Sequence, residues 1–92
     1  MRLVTLYTKT YCAYSKKAKA FLCDQGIEFE DIDVTEDEDR FAEMVERTGG
    51  GTTVPQIFIA GRHIGGYTEL AEVHERGELE SLLGKEGAAS SP

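Results

Sequence analysis

The chain contains no tryptophan, only two prolines and only two cysteines among 92 residues. Two cysteines cannot build the disulfide framework of a small secreted domain. No apolar run approaches the ~18–20 residues of a membrane span, and no signal-peptide pattern opens the chain. With two thiols expected to stay reduced, these absences predict a cytoplasmic protein with no membrane partner. A chain this short buries roughly 60–65% of its unfolded surface, enough for one core and no second module. With 40% hydrophobic and 29% charged residues, it is not a disordered, collagenous or coiled-coil sequence. Seventeen acids against ten bases give a net charge of −7, which argues against nucleic acid and anionic membranes.

Acidic residues are also missing from one particular place. Met1 to Cys23 holds five bases (Arg2, Lys9, Lys16, Lys17, Lys19) and no acid, a local charge of +5. The remainder holds five bases and all 17 acids, a charge of −12. Both cysteines bound or lie inside the basic part. The partition suggests a positive field around a thiol.

Leu3 to Thr8 is apolar, β-branched and uninterrupted, a strand buried on both faces. After the polar turn Lys9-Thr10-Tyr11, Ala13 to Gln25 reads as a helix with Ala18, Phe21 and Leu22 on one stripe, stopped by Gly26. Ile27 to Val34 alternates apolar and acidic, a half-exposed strand near an edge. Thr35 and Glu38 form a capping-box signature for a helix running to Arg47, with Phe41, Met44 and Val45 inward. Thr48 to Thr52 is a flexible loop. Gln56 to Ala60 and Arg62 to Gly65 form a hairpin about Ala60-Gly61. Leu70 and Val73 mark one short helix, and Leu79, Leu82 and Leu83 another. The order β-α-β-α-β-β-α-α is that of a thioredoxin-like domain. It predicts an α/β fold with a four-stranded mixed sheet and helices on both faces, over residues 1–84. Residues 85–92 lack apolar content and read as a flexible tail.

Cys12 stands where the first strand ends and the first helix begins. Unpaired N–H groups and the helix dipole stabilise an anion there, and Lys9 and Lys16 add positive charge. Both effects lower the thiol pKa and supply thiolate, the reactive species. Ser15, three residues on, is placed to hydrogen-bond the sulfur. Cys23 lies 11 residues further along the same helix, about 16 Å at 1.5 Å per residue, whereas a disulfide needs Cα atoms within about 7 Å. No Cys12–Cys23 bond is therefore possible, nor is the spacing that of a zinc site. Cys23 reads as a near-surface helix residue, and His63 and His74 as exposed side chains outside any site.

Three segments resemble the glutaredoxin family, in register over about residues 3–84. They are Thr8-Lys9-Thr10-Tyr11-Cys12-Ala13-Tyr14-Ser15, Thr53-Val54-Pro55-Gln56-Ile57-Phe58-Ile59 and Gly65-Gly66-Tyr67. The chain resembles a small bacterial-type glutaredoxin, with a monothiol Cys-Ala-Tyr-Ser active site in place of the family's Cys-Pro-Tyr-Cys. The resemblance implies a glutathione-dependent thiol–disulfide oxidoreductase that reduces glutathione mixed disulfides by a monothiol route. Cys12 would be the nucleophile and Ser15 the second catalytic position. Thr53, Val54 and Pro55 would face glutathione, with Pro55 cis and Val54 offering its backbone to the glutathione cysteine. Lys9 would pair with the glycyl carboxylate and Tyr14 would wall the site. The backbone of Gly66, Tyr67 and Thr68 would hold the γ-glutamyl carboxylate at a helix N-terminus. The expected partners are glutathione and glutathionylated proteins, met by a monomer.

Further departures from the family pattern are Gly51, where many relatives carry Arg or Lys, and Thr68, where Asp is usual. The resemblance also offers an alternative: a binding protein for a [2Fe–2S] cluster held by Cys12 and one glutathione from each of two subunits. Ala13 favours it by removing the proline ring. A third reading, an adaptor without turnover, has in its favour only the missing second cysteine.

Overall fold

Leu3–Thr8 carries no charge, and its strand lies in the interior of the sheet. The computed structural model describes residues 3–83. In chain order these form β1 (Val4–Thr8), α1 (Ala13–Asp24), β2 (Phe29–Asp33), α2 (Glu38–Arg47), β3 (Gln56–Ile59), β4 (Arg62–Gly65), α3 (Tyr67–Glu75) and α4 (Leu79–Leu83). This is the thioredoxin-like order read from the sequence. The strands lie in the order β2-β1-β3-β4. β1 and β2 are parallel, with Val4 opposite Phe29, while β1–β3 and β3–β4 are antiparallel. The apolar strands β1 and β3 take the centre; the charged β2 and β4 take the edges, where side chains meet water.

Alternation along the central strands sorts the core into two layers. Val4, Leu6, Ile57 and Ile59 face Ala18 and Leu22 of α1, Leu70 and Val73 of α3, and Leu79 and Leu83 of α4. Tyr7 and Phe58 point the other way, onto Val34 and Met44 of α2. Below α2 the buried Tyr7 hydroxyl donates to Glu43 and accepts from Arg47 Nη1 at 2.8 Å. Phe21 of the expected stripe is only half-buried and meets His74 edge-on, whereas Ser15 is fully buried on that stripe.

Two boundaries differ from the sequence reading by more than one residue. β2 starts at Phe29 rather than Ile27, because Gly26 and Ile27 are used to end α1. Gly26 takes φ +70°, its N–H donates to Cys23 C=O at 3.0 Å, and the Ile27 N–H reaches Leu22 C=O at 2.9 Å. Glycine carries no Cβ penalty in that left-handed conformation. The second difference is the cap of α2. Asp37, not Thr35, is the N-cap, its Oδ1 accepting from Arg40 N–H at 3.0 Å. Thr35 Oγ1 instead accepts the Thr10 N–H at 2.9 Å, tying the loop before Cys12 to the end of β2. The boundary expected at residue 84 and the tail 85–92 lie outside the described residues. Among the described residues, no helix is long and apolar enough to cross a membrane.

Candidate active site

β1 must deliver the chain to α1 at a fixed point, and side-chain polar contacts fix it. Thr8 Oγ1 donates to Asp31 Oδ1 at 2.5 Å, and Lys19 Nζ reaches Asp31 Oδ2 at 2.8 Å, joining β1, β2 and α1. The turn then closes with Cys12 N–H on Lys9 C=O at 3.2 Å. Cys12 is the N-cap of α1, extended at φ −88° and ψ 121°, and its C=O accepts the first helical bond from Lys16 N–H at 3.2 Å. The half-buried thiol donates to Val54 C=O at 3.5 Å.

Burial pushes the Cys12 thiol upward, but opposing contacts win and its pKa lies below the ordinary thiol value. The Ser15 N–H, the Ser15 hydroxyl and the Tyr14 N–H favour the thiolate, with the Lys9 ammonium as a weaker, through-space contribution. The two N–H groups are among the orphan donors of the first helical turn. Ser15 is fully buried and its Oγ also meets Lys9 N–H at 3.4 Å. Cys23, by contrast, is free and exposed on the same helix.

One shallow groove of about 210 Å³ is lined by Tyr14, Thr53, Val54, Pro55, Gly66, Tyr67, Thr68 and Glu69. Seven of those side chains or backbones were singled out from the sequence, and the fold brings them together. The Val54–Pro55 bond is cis. Tyr14, 55% exposed, and Tyr67 face each other at 6.3 Å between ring centroids. The first-turn N–H groups of Tyr67 and Thr68 have no intrahelical acceptor and point as an anion site. Gly66 N–H is already taken by Glu69 Oε1 at 2.8 Å, so Glu69 serves as the cap of α3.

Lys9 does not line this groove. Its ammonium sits over the rings of Phe41 (5.3 Å) and Tyr11 (5.9 Å), in a neighbouring groove beside Thr35 to Glu38. Gly51 is held by contact. A Cβ there would lie 2.7 Å from Thr48 Oγ1 and 3.0 Å from Gln56 Nε2, so no side chain fits without movement. His63 is exposed as expected but not idle: its Nε2 lies 2.7 Å from Gln56 Oε1. Sequence reasoning missed Gln56; its only signal was a polar residue opening a strand that is otherwise wholly apolar.

A cysteine capping a helix, activated by that helix's own N–H groups and touching the residue before a cis-proline at the end of a mixed sheet, is the layout of the thioredoxin-like thiol–disulfide oxidoreductases. Within that class the comparisons are specific. The sequence profile of the family described as Glutaredoxin matches residues 4–64. Glutaredoxin 3 of Escherichia coli K12 is 42% identical over 83 residues, covering 90% of this chain and 99% of that protein. An uncharacterised monothiol glutaredoxin of Caenorhabditis elegans is 39% identical over 85 residues, covering 89% of this chain; the chain spans 58% of that relative's length. Among solved structures, a buckwheat glutaredoxin–glutathione complex superposes with a TM-score of 0.81 at 32% identity, covering 95% of this chain and 81% of that one. The chain belongs to the glutaredoxin family.

Proposed function

We propose that the protein reduces glutathione mixed disulfides by a monothiol route through Cys12. The observation that carries this reading is the pairing of an activated Cys12 with a fully buried Ser15, where a second thiol would be needed to close an internal disulfide. The Cys12 thiolate attacks the glutathione sulfur of a mixed disulfide. A Cys12–glutathione S–S bond forms, the substrate's S–S bond breaks, and the substrate thiolate leaves with the electron pair and takes a proton from water. A second glutathione thiolate then attacks the glutathione sulfur on Cys12. That step frees the Cys12 thiolate and yields oxidised glutathione. Such exchange needs only an attacking thiolate and a competent leaving thiol.

The groove supplies orientation. Val54 offers its backbone beside the sulfur, Thr53 and Pro55 form the floor, and Tyr14 and Tyr67 form the walls. The free N–H groups of Tyr67 and Thr68 receive the γ-glutamyl carboxylate, and Lys9 draws the glycyl carboxylate from the α2 side. That the structurally similar buckwheat protein was solved with glutathione supports this placement; the monothiol name of the worm relative supports the route.

The test is mass spectrometry after incubation with oxidised glutathione, joined to turnover of a glutathionylated peptide. One glutathione adduct on Cys12, and loss of both adduct and turnover in Cys12→Ser, are expected. Turnover persisting in Cys12→Ser refutes the assignment.

The same thiolate allows a second reading, a [2Fe–2S] carrier. Such a cluster takes four thiolate-type ligands. One chain offers Cys12 alone at the site, since Cys23 lies on the exposed side of α1. The residues present therefore fit a cluster only when shared by two copies and two glutathiones. Anaerobic reconstitution with iron, sulfide and glutathione separates the readings: a colourless monomer rejects the carrier.

A further inference from the structure

The groove's floor is a segment with little to hold it. Residues 52–55 lie between strand and helix, preceded by Gly49-Gly50-Gly51. Among the described residues, the hydrogen bonds that reach this segment come from the Cys12 thiol, onto Val54 C=O, and from one side chain, Gln56. The Gln56 carboxamide is buried at 7% exposure. Its Nε2 donates to Thr53 C=O at 3.0 Å and lies 3.3 Å from Thr53 Oγ1, which leaves Oε1 as an acceptor. His63 Nε2 lies 2.7 Å from that oxygen and must be the donor, because a carboxamide oxygen has no proton to give. His63 is itself held: its ring rests on Phe58 with centroids 5.0 Å apart, and Arg47 covers Phe58 at 4.1 Å.

We infer that Gln56 is a positioning residue, a strut that anchors Thr53 to β4 through His63 and thereby fixes the Val54 backbone against which glutathione binds. The inference rests on the glutathione-groove reading above. When the Cys12 thiol ionises it gives up its donation to Val54 C=O, and Gln56 becomes the one remaining hydrogen-bonded tie on the segment. The strut therefore matters most in the reactive state. It acts on binding and not on the sulfur, since neither Gln56 nor His63 is among the groups that shift Cys12.

The decisive variant is Gln56→Met, which keeps the side-chain length and removes both donor and acceptor. We expect KM for a small glutathione mixed disulfide to rise about tenfold, the equivalent of about 1.4 kcal/mol, with kcat within about twofold, a pattern of lost uniform binding. The NMR order parameter of the Val54 amide should fall below that of rigid backbone (about 0.85), and the Cys12 titration should stay where it is. His63→Phe, which keeps the stack on Phe58 without the donor, should move KM in the same direction, and His63→Gln, which restores an N–H, should recover it. Unchanged KM and an unchanged Val54 order parameter in Gln56→Met overturn the proposal. So does a fall in melting temperature with KM unmoved, which marks a merely structural contact, or a displaced Cys12 titration. Should the unmodified protein fail to turn over the mixed disulfide at all, the glutathione reading falls, while the Val54 order parameter still decides the strut.

Discussion

Replacing Ser15 with alanine probes which contact activates Cys12. Ser15 contributes its hydroxyl to the thiolate, and that contribution ranks above the Lys9 charge. A hydrogen bond to a charged group contributes about 1.5–3 kcal/mol net, and the lower end suits a half-buried sulfur. Losing about 1.4 kcal/mol makes the ionisation equilibrium of the thiol about tenfold less favourable. Each thiolate that remains is more basic and hence more nucleophilic, by about threefold for a Brønsted coefficient near 0.5. The two effects oppose, so Ser15→Ala should react about threefold more slowly with iodoacetamide at a pH low enough that the thiol is mostly protonated in both proteins, and about threefold faster in alkali, where both are fully ionised. The crossing of the two rate profiles is the signature. Lys9→Met should move the profile less and lose its effect in salt, because a solvent-screened charge contributes only about 1 kcal/mol at 4 Å in water. Alkylation rates across the pH range, with thiolate absorbance as the second readout, measure both. A Ser15→Ala profile that superposes on the unmodified protein, with Lys9→Met displaced, refutes the hydrogen-bond account. The sign of the linked stability is fixed too. A folded-state thiol pKa below the unfolded one stabilises the fold above the unfolded pKa, and that contribution disappears as pH falls through the folded value. The stability gap between the unmodified protein and Cys12→Ser should therefore narrow on acidification in denaturant titrations.

Three further outcomes follow from packing. Gly51→Ala places a Cβ 2.7 Å from Thr48 Oγ1 and should destabilise the protein by about 1–3 kcal/mol, read as a lowered melting temperature; an unchanged melting temperature means the loop is free to shift. Asp37→Ala should cost about 1 kcal/mol and accelerate exchange of the Arg40 amide, whereas Thr35→Ala should leave that amide protected and release the Thr10 amide; the reverse pattern restores Thr35 as the cap. Ala60 sits at φ +53° in the hairpin turn, a conformation costing a non-glycine residue about 1–2 kcal/mol, so Ala60→Asn should raise the denaturation midpoint.

The element order, the central placement of β1 and most of the groove were legible because they depend on patterns local to the chain. A charge-free strand, a Gly stop and an alternating acidic strand each report their own surroundings. Thr35 was misread for a physical reason. Threonine and aspartate both cap helices by rule, and the tertiary demand of the Thr10 amide took Thr35 away from that role. Gly51 and Gln56 share a different difficulty. Gly51 takes its meaning from Thr48 and Gln56, and Gln56 from Thr53 and His63, close contacts that no periodicity displays. Lys9 was placed at the right end of the fold but on the α2 side, since a flexible side chain settles over whichever ring its loop offers.

The split charge has a consequence that salt can expose. At long range a glutathione anion meets a chain of net charge −7. At short range it meets Lys9, the bare N–H groups opening α3 and the exposed bases Lys16 and Lys17, while Lys19 is already neutralised by Asp31. These two fields have different reach, and the Debye length selects between them: about 30 Å at 0.01 M ionic strength, about 8 Å at 0.15 M and about 3 Å at 1 M. Going from low to physiological salt screens the distant acids first and leaves the contact attraction largely intact, so KM for glutathione should fall. Raising salt towards 1 M then screens the contacts themselves, and KM should rise again. A steady rise from the lowest salt onward would mean that the local cations dominate at every distance. In that case the acidic remainder of the chain does not reach the groove, and the partition in the sequence has no part in substrate capture.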